Sequence, residues 1–371
     1  MKRCIFYLPY ELDRSAARAR MVRPRKMIRA FQDIGYDVFE ITGYAAERKR
    51  KIAEAKRLIR SGVPFDFTYS ESSTMPTLLT EPHHFPTHPF LDFGFFRYLK
   101  RHGIPIGLFY PDIYWKFDNY GKELPVWKRL SALKNYELDI REYEKLLDRF
   151  YTPNKKACDY LGSERLAAIA EELPPGADDL TVPPRSYEAR DFDREPLTVF
   201  YVGGLGNQYQ LGDLIAAVAQ TPRTKLILCC REAEWEKEKA SFEPYLNERI
   251  EVVHKSGEEL EPYYATADLG SLLFSKGVYI GLARPVKAYE YLAHELPVLA
   301  TEGTASGDYV KEAGIGWTIE YSAKAIAEQL QSCIEQPALL AEKRRRCREV
   351  KPQHTWKARA GQVAQGLKND R

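Results

Sequence analysis

The sequence predicts an α/β protein of two Rossmann-like, doubly wound parallel-sheet domains facing a cleft. Three observations carry this expectation. Short apolar runs alternate with amphipathic stretches along both halves, the pattern of parallel strands covered by helices. A stretch rich in proline and charge, "LPPGADDLTVPPRSYEARDFDREP", interrupts the alternation, which restarts after it. The chain, at 371 residues, is too long for one comfortable hydrophobic core. The expected division is a first domain at 1–180, a linker at 181–196, a second domain at 197–350, and a C-terminal helix at 351–371 packing back on the first domain.

In the first half "CIFYLPY" reads as a strand. "MIRAFQDIGYDVFEITGY" reads as the end of a helix, a turn at Gly35 and a second strand. "FDFTYSES" and "IPIGLFYPD" follow as strands, separated by "LDFGFFRYLKRHG", whose helical spacing ends at Gly103. "RFYTPN" is a strand and "KKACDYLGS" a helix. After the linker come strand "LTVFYVG", helix "LGDLIAAVAQTP", strands "TKLILCC" and "RIEVVH", helix "GEELEPYYATA" and strand "LGSLLF". Helix "RPVKAYEYLAHEL" then leads into strand "PVLAT", and "SGDYVKEAGIGWTIE" is a helix running into a last strand.

Composition excludes some classes. Hydrophobic residues make up 44% of the chain, which rules out disorder. The six cysteines show no C-x-x-C pair and no ligand spacing, so neither a disulfide framework nor a metal site is expected. No apolar run is long enough to span a bilayer and the first one is broken by Pro9, which suggests a cytoplasmic protein, peripheral at most on the inner face of the plasma membrane. Net charge is only +3, yet seven basic residues and no acidic one lie between Arg14 and Arg29. Such a stripe attracts phosphates, and an anionic membrane surface is one candidate partner. Nucleic acid is not expected, because neither a groove-reading helix nor an RNA-binding aromatic motif accompanies it.

In the second half, strand "LTVFYVG" ends in Gly203-Gly204-Leu205-Gly206-Asn207. Glycines at a strand's carboxyl end let a ligand approach the backbone, although a tight strand-to-helix turn explains them equally. In "RPVKAYEYLAHELPVLAT", Pro285 suits the first helical position and Pro297 follows the helix, which should run about three turns. Lys287 and Glu290 share a face, either as a solvated ion pair or as part of a site. In the second case the helix N-terminus, with Arg284 and Lys287, suits a diphosphate, and Glu290 suits a ribose diol.

"LPPGADD", "VFYVGGLGNQYQLGDLIAAVA", "LEPYYATADLGSLLF", "RPVKAYEYLAHELPVLAT" and "HTWKARA" fall in the order and spacing of GT-B glycosyltransferases. The chain resembles most the family 4 (group 1) enzymes of bacterial surface-polysaccharide synthesis, over about residues 150–365 and more loosely before. The resemblance implies a hexosyl or deoxyhexosyl transferase, usually retaining. It takes the donor, a UDP-, GDP- or dTDP-sugar, in the second domain and the acceptor in the first, with no cofactor and no metal. Glu290 matches the family's ribose-binding glutamate. The chain also departs from the pattern. The family's partner glutamate, eight positions earlier, is Leu282 here, and its two diphosphate cations fall at Gly204 and Leu211. Arg284, Lys287 and Arg231 are the candidates to replace those cations.

In the first half, "FYPDIYW" places Asp112 at a strand end, to orient the acceptor, to act as base or merely to cap a turn. Tyr114, Trp115 and Phe117 offer flat faces for a sugar or belong to the core. "EPHHFPTHPF" brings His83, His84 and His88 into a loop that lines the acceptor site on one reading and binds zinc on the other. Glu71 is the other strand-end carboxylate, again an acceptor ligand, base or cap. The expected function is transfer of a sugar to a glycan or polyprenyl-pyrophosphate-linked acceptor in capsule, exopolysaccharide or O-antigen synthesis. The alternative is a catalytically impaired GT-B-like partner protein that binds nucleotide or glycan.

Overall fold

The computed structural model describes residues 1–13, 19–187, 190–206, 209–275, 277 and 281–368. It divides into two compact units, Met1–Pro175 with Trp356–Arg371, and Gly176–Thr355. Each is built on one six-stranded sheet in which the paired strands run parallel.

The first unit orders its strands β2-β1-β3-β4-β5-β6, with β1 Lys2–Tyr7, β2 Tyr36–Ile41, β3 Phe67–Glu71, β4 Ile106–Phe109, β5 Arg149–Thr152 and β6 Ala170–Glu172. Strands β3 and β4 are buried throughout, as expected when helices cover both faces. The helices α1 (Ala19–Asp33), α2 (Ala45–Arg60), α3 (Leu91–Arg101), α4 (Val126–Leu146) and α5 (Glu164–Ala168) connect them. One core joins Phe6, Phe31, Phe67 and Tyr69 to Trp356, Val363 and Leu367 of the C-terminal helix. Gly107 on β4 lets that helix approach, because a Cβ there would lie 3.0 Å from Leu367.

The second unit orders its strands β12-β11-β10-β7-β8-β9. These are β7 Leu197–Val202, β8 Thr224–Cys229, β9 Ile250–Val253, β10 Leu269–Leu272, β11 Val298–Thr301 and β12 Gly316–Ile319. Helices α6 (Gly212–Gln220), α7 (Glu232–Phe242), α8 (Glu261–Thr266), α9 (Val286–Ala293), α10 (Ala305–Ala313), α11 (Ala323–Glu335) and α12 (Pro337–Val350) belong to this unit, and α13 (Trp356–Lys368) is the C-terminal helix of the first. Described residues of the expected linker, 181–196, are attached to this unit. Tyr187 and Phe192 are buried with the β7 core, and Arg190 and Arg185 pair with the fully buried Asp268 before β10. Proline and charge hid this attachment, since it has no apolar period.

Strand order reverses between β7 and β10, where a parallel sheet opens at its carboxyl edge. The turn after β7 and the start of α9 lie at that reversal.

A candidate nucleotide-sugar site

Tyr291 of α9 ties the two strands at the reversal. Its hydroxyl accepts from Val202 N at 3.3 Å and lies 3.2 Å from Phe200 O and 3.4 Å from Ser271 O, within donating reach of both. Its ring lies where Gly270 has no side chain; a Cβ there would fall 2.5 Å from Tyr291 Cγ. The turn that follows β7 opens at Gly203, whose φ of +153° is one that side chains rarely adopt, and Tyr201 Oη donates to Gly204 O at 2.6 Å.

Helix α9 starts one residue later than the sequence suggested. Pro285 is its N-cap, no side chain caps it, and it runs eight residues, about two turns rather than three. It stops at Ala293 because Glu295 turns left-handed (φ 56°), held there by Arg348 at 2.7 Å and Lys351 at 3.1 Å.

Lys287 and Glu290 do not form the surface ion pair that their spacing allowed. Lys287 is 8% exposed, and its Nζ, 3.9 Å from the Tyr201 ring centre and 5.4 Å from that of Tyr209, has no hydrogen-bond partner among the described residues. A Cβ at Gly203 would lie 3.0 Å from this Nζ, so the glycine keeps the space beside the ammonium clear. Desolvation lowers its pKa to about 7, and attraction from Glu290 opposes the shift. Two aromatic faces offset part of the cost of burying a cation, but its three N–H donors are left without acceptors. An anion at the uncapped end of α9 would supply them.

Glu290 lies one turn deeper. Tyr264 Oη donates to its Oε2 at 3.2 Å, and the other oxygen, Oε1, has no hydrogen bond among the described residues. Burial raises the Glu290 pKa, against the Tyr264 hydroxyl and the nearby His294 and Lys287. The His294 ring stacks on Tyr264, centres 4.0 Å apart, and fixes that phenol.

The other expected donor contacts are less concentrated. Gly203 and Gly204 form the turn, whereas Asn207 lies outside the described residues. Arg284 stands just before the helix, its guanidinium 5.7 Å from the Tyr309 ring centre. Arg231 is a mostly exposed side chain ion-paired with Glu234, whose other oxygen accepts from Leu205 N at 3.1 Å. Leu211, at one of the family's cation positions, is fully buried. Tyr201, Tyr209 and Tyr264 escaped the sequence reading, because they come from a strand, a loop and a helix that are far from Lys287 and Glu290 in sequence.

In the first unit several of the expected acceptor residues are engaged in contacts of their own. Glu71 is buried against Arg23 at 3.3 Å and accepts from Tyr69 Oη at 2.8 Å; burial raises its pKa, opposed mainly by Arg23. Arg23 therefore is not the surface charge that the basic stretch suggested: its guanidinium lies 3.5 Å from the Phe109 ring centre. Within the same stretch Arg29 pairs with Asp33, while Arg14 and Arg18 lie outside the described residues. Asp112 Oδ1 accepts from Tyr114 N at 2.8 Å, closing a turn. Trp115 is a core residue rather than an open platform, stacked on Tyr136 with centres 4.8 Å apart and donating to Tyr110 Oη at 2.8 Å. Tyr114 is half-buried, its hydroxyl 3.3 Å from Asn119 O, and Phe117 packs on Tyr160. His84 and His88 lie in an exposed loop, His84 with Nδ1 3.0 Å from Leu79 O. No group of three or more His, Cys, Asp or Glu fit to hold a metal occurs among the described residues.

A family model, "Glycosyl transferases group 1", matches residues 185–354. The match covers most of the second unit, Gly176–Thr355. No curated protein sequence matches the chain. Among solved structures it is similar to a sucrose-phosphate synthase from Thermosynechococcus elongatus, at 17% identity and TM-score 0.62 over 98% of each chain. It is also similar to Anabaena HepE in complex with UDP-glucose, at 13% identity and TM-score 0.63 over 100% of each chain. The similarity to WaaG, a glycosyltransferase involved in lipopolysaccharide biosynthesis, has 14% identity and TM-score 0.58 over 98% of this chain and 99% of that one. The two parallel sheets thus have the GT-B architecture.

Proposed function

We propose that this protein is a glycosyltransferase that moves a hexosyl or deoxyhexosyl unit from a nucleoside-diphosphate sugar to a glycan acceptor. The observation that carries the reading is the buried Lys287 ammonium, without a hydrogen-bond partner among the described residues, beside the Gly203 turn and the start of α9. Lys287 and the α9 dipole take the diphosphate, with Arg284 adding charge, and Glu290 takes the ribose through Oε1. A leaving diphosphate held this way needs no metal to offset its charge. The acceptor belongs to the first unit, with Asp112, Glu71 and His88 the candidate carboxylates and base, and Tyr114, Trp115 and His84 the candidate acceptor contacts. Burial makes Glu71 and Trp115 the weakest of these. The acceptor class proposed is a lipid-linked repeat unit of capsule, exopolysaccharide or O-antigen, with retention at the anomeric carbon, and the enzyme works against an anionic membrane surface.

One observation favours a second reading, a GT-B-like protein without catalysis. Leu282 replaces an acid and buried Leu211 a cation, so groups that handle the donor sugar and its diphosphate in the family are missing here. Incubation with a panel of UDP-, GDP- and dTDP-sugars, followed by product analysis, separates the two. The transferase reading expects one donor to be turned over, and Glu290→Ala to raise its KM by about tenfold or more, the loss of a charge-assisted hydrogen bond to the ribose. Donor binding without hydrolysis or transfer would leave the second reading standing.

A further inference from the structure

The carboxyl end of α9 is braced against α8. His294, the C-cap of α9, lays its ring on Tyr264 with the two planes 6° apart. Its Nδ1 lies 2.8 Å from Glu290 O and its Nε2 lies 3.0 Å from Glu261 Oε2, and both of these oxygens are acceptors. A neutral imidazole has one N–H and donates to only one of them, whereas the imidazolium donates to both. A cation is also the form that a helix C-terminus and a phenol face favour. Glu261 is mostly exposed, so its ion pair alone contributes little; the stack and the carbonyl contact hold the ring. Tyr264 passes this bracing on to Glu290 through its hydroxyl, which stays a donor because burial raises its pKa.

We infer that His294 is a positioning residue for the donor's ribose: its imidazolium, held between Glu261 and the Glu290 carbonyl, keeps Tyr264 against the Glu290 carboxylate and sets the acid limit of donor binding. The inference rests on the reading of Glu290 as the ribose contact and adds how that contact is held. The groups that face His294 are Glu261 and Tyr264 of α8 and Glu290 of α9. Those that face Glu290 are Tyr264, Asp178, His294 and Lys287. Burial raises the Glu290 pKa, the Tyr264 hydrogen bond and the His294 and Lys287 charges oppose the rise, and Asp178 adds to it. The ribose diol donates to the ionised carboxylate, so affinity falls as pH falls through the Glu290 pKa. Without the imidazolium this loss begins at higher pH. Lys287 acts on the opposite side, since it loses its charge as pH rises.

The test is calorimetric titration of the full chain with UDP, GDP and dTDP at about pH 5.5 and about pH 8, the range in which histidine titrates. The ratio of variant to wild-type affinity cancels the protonation of the nucleotide itself. His294→Phe, which keeps a ring on Tyr264, is expected to bind like wild type at the higher pH and about tenfold more weakly at the lower. Tyr264→Phe, which loses only the hydroxyl, should show the same loss on the acid side. His294→Arg, a planar cation that stacks and donates, should restore wild-type affinity at both. A ratio for His294→Phe that is the same at the two pH values overturns the inference and leaves the Glu290 reading standing. So does a His294→Arg variant as weak in acid as His294→Phe. No binding of any of the three nucleotides by the wild type overturns both.

Discussion

Lys287 combines three properties that seldom occur together: burial, no hydrogen-bond acceptor and a place beside a glycine turn. Its sign in the pH dependence is definite. The folded state binds this proton only below about pH 7, whereas the unfolded chain keeps it to about pH 10.4, so between those values the unfolded state holds more protons. Stability contributed at this position therefore rises with pH across that window and is flat, at its lowest, below it. Lys287→Met, which keeps the apolar stem, should be more stable than wild type at neutral pH. The difference should shrink by about 1.4 kcal/mol per pH unit as pH rises from 7 towards 10, measured by urea unfolding. A constant difference would mean that the ammonium is not desolvated. The position was legible in the sequence, because a proline, a lysine and a glutamate at helical spacing define one face. Its burial was not, since the tyrosines that enclose it come from β7 and from the loop after it.

At the scale of elements, the glycines decide how closely α9 approaches the sheet. Gly270 makes room for the Tyr291 ring, and the Tyr291 hydroxyl in turn holds Val202 N, the last strand residue before the Gly203 turn. Gly270→Ala should cost about 1–3 kcal/mol through overpacking and also weaken nucleotide binding, as the turn loses its anchor. Denaturant unfolding and nucleotide titration of the same variant check both. An Ala variant with wild-type stability and affinity would show that the ring relaxes freely. Most strands were legible as short apolar runs. Helix α4 was not, because its apolar residues face both inward and outward and leave no single period. Helix α7, polar on nearly every side with only Phe242 buried, gave no amphipathic signal either. Helix α11 was readable in principle: Ile326, Leu330, Cys333 and Ile334 recur at helical spacing and all are buried.

The whole molecule carries two six-stranded parallel sheets of different strand order, with different tasks proposed for them. The sequence conveyed the doubling through its restarted alternation, and the family model places its match in the second half. It was less informative about the first unit's chemistry, because strand-end carboxylates and aromatics look alike whether they face a ligand or, as with Glu71 and Trp115, a buried partner. The central claim is that the second unit holds a nucleoside diphosphate through Lys287. Calorimetric titration of the full chain with UDP, GDP and dTDP, at about pH 8 in buffers of different ionisation enthalpy, tests it most directly. One nucleotide should bind with uptake of up to about one proton, as the diphosphate restores the charge on Lys287, and Lys287→Met should lose the uptake and about tenfold or more in affinity. Binding of none of the three nucleotides, or tight binding with no proton exchanged and no affinity lost in the variant, would contradict it.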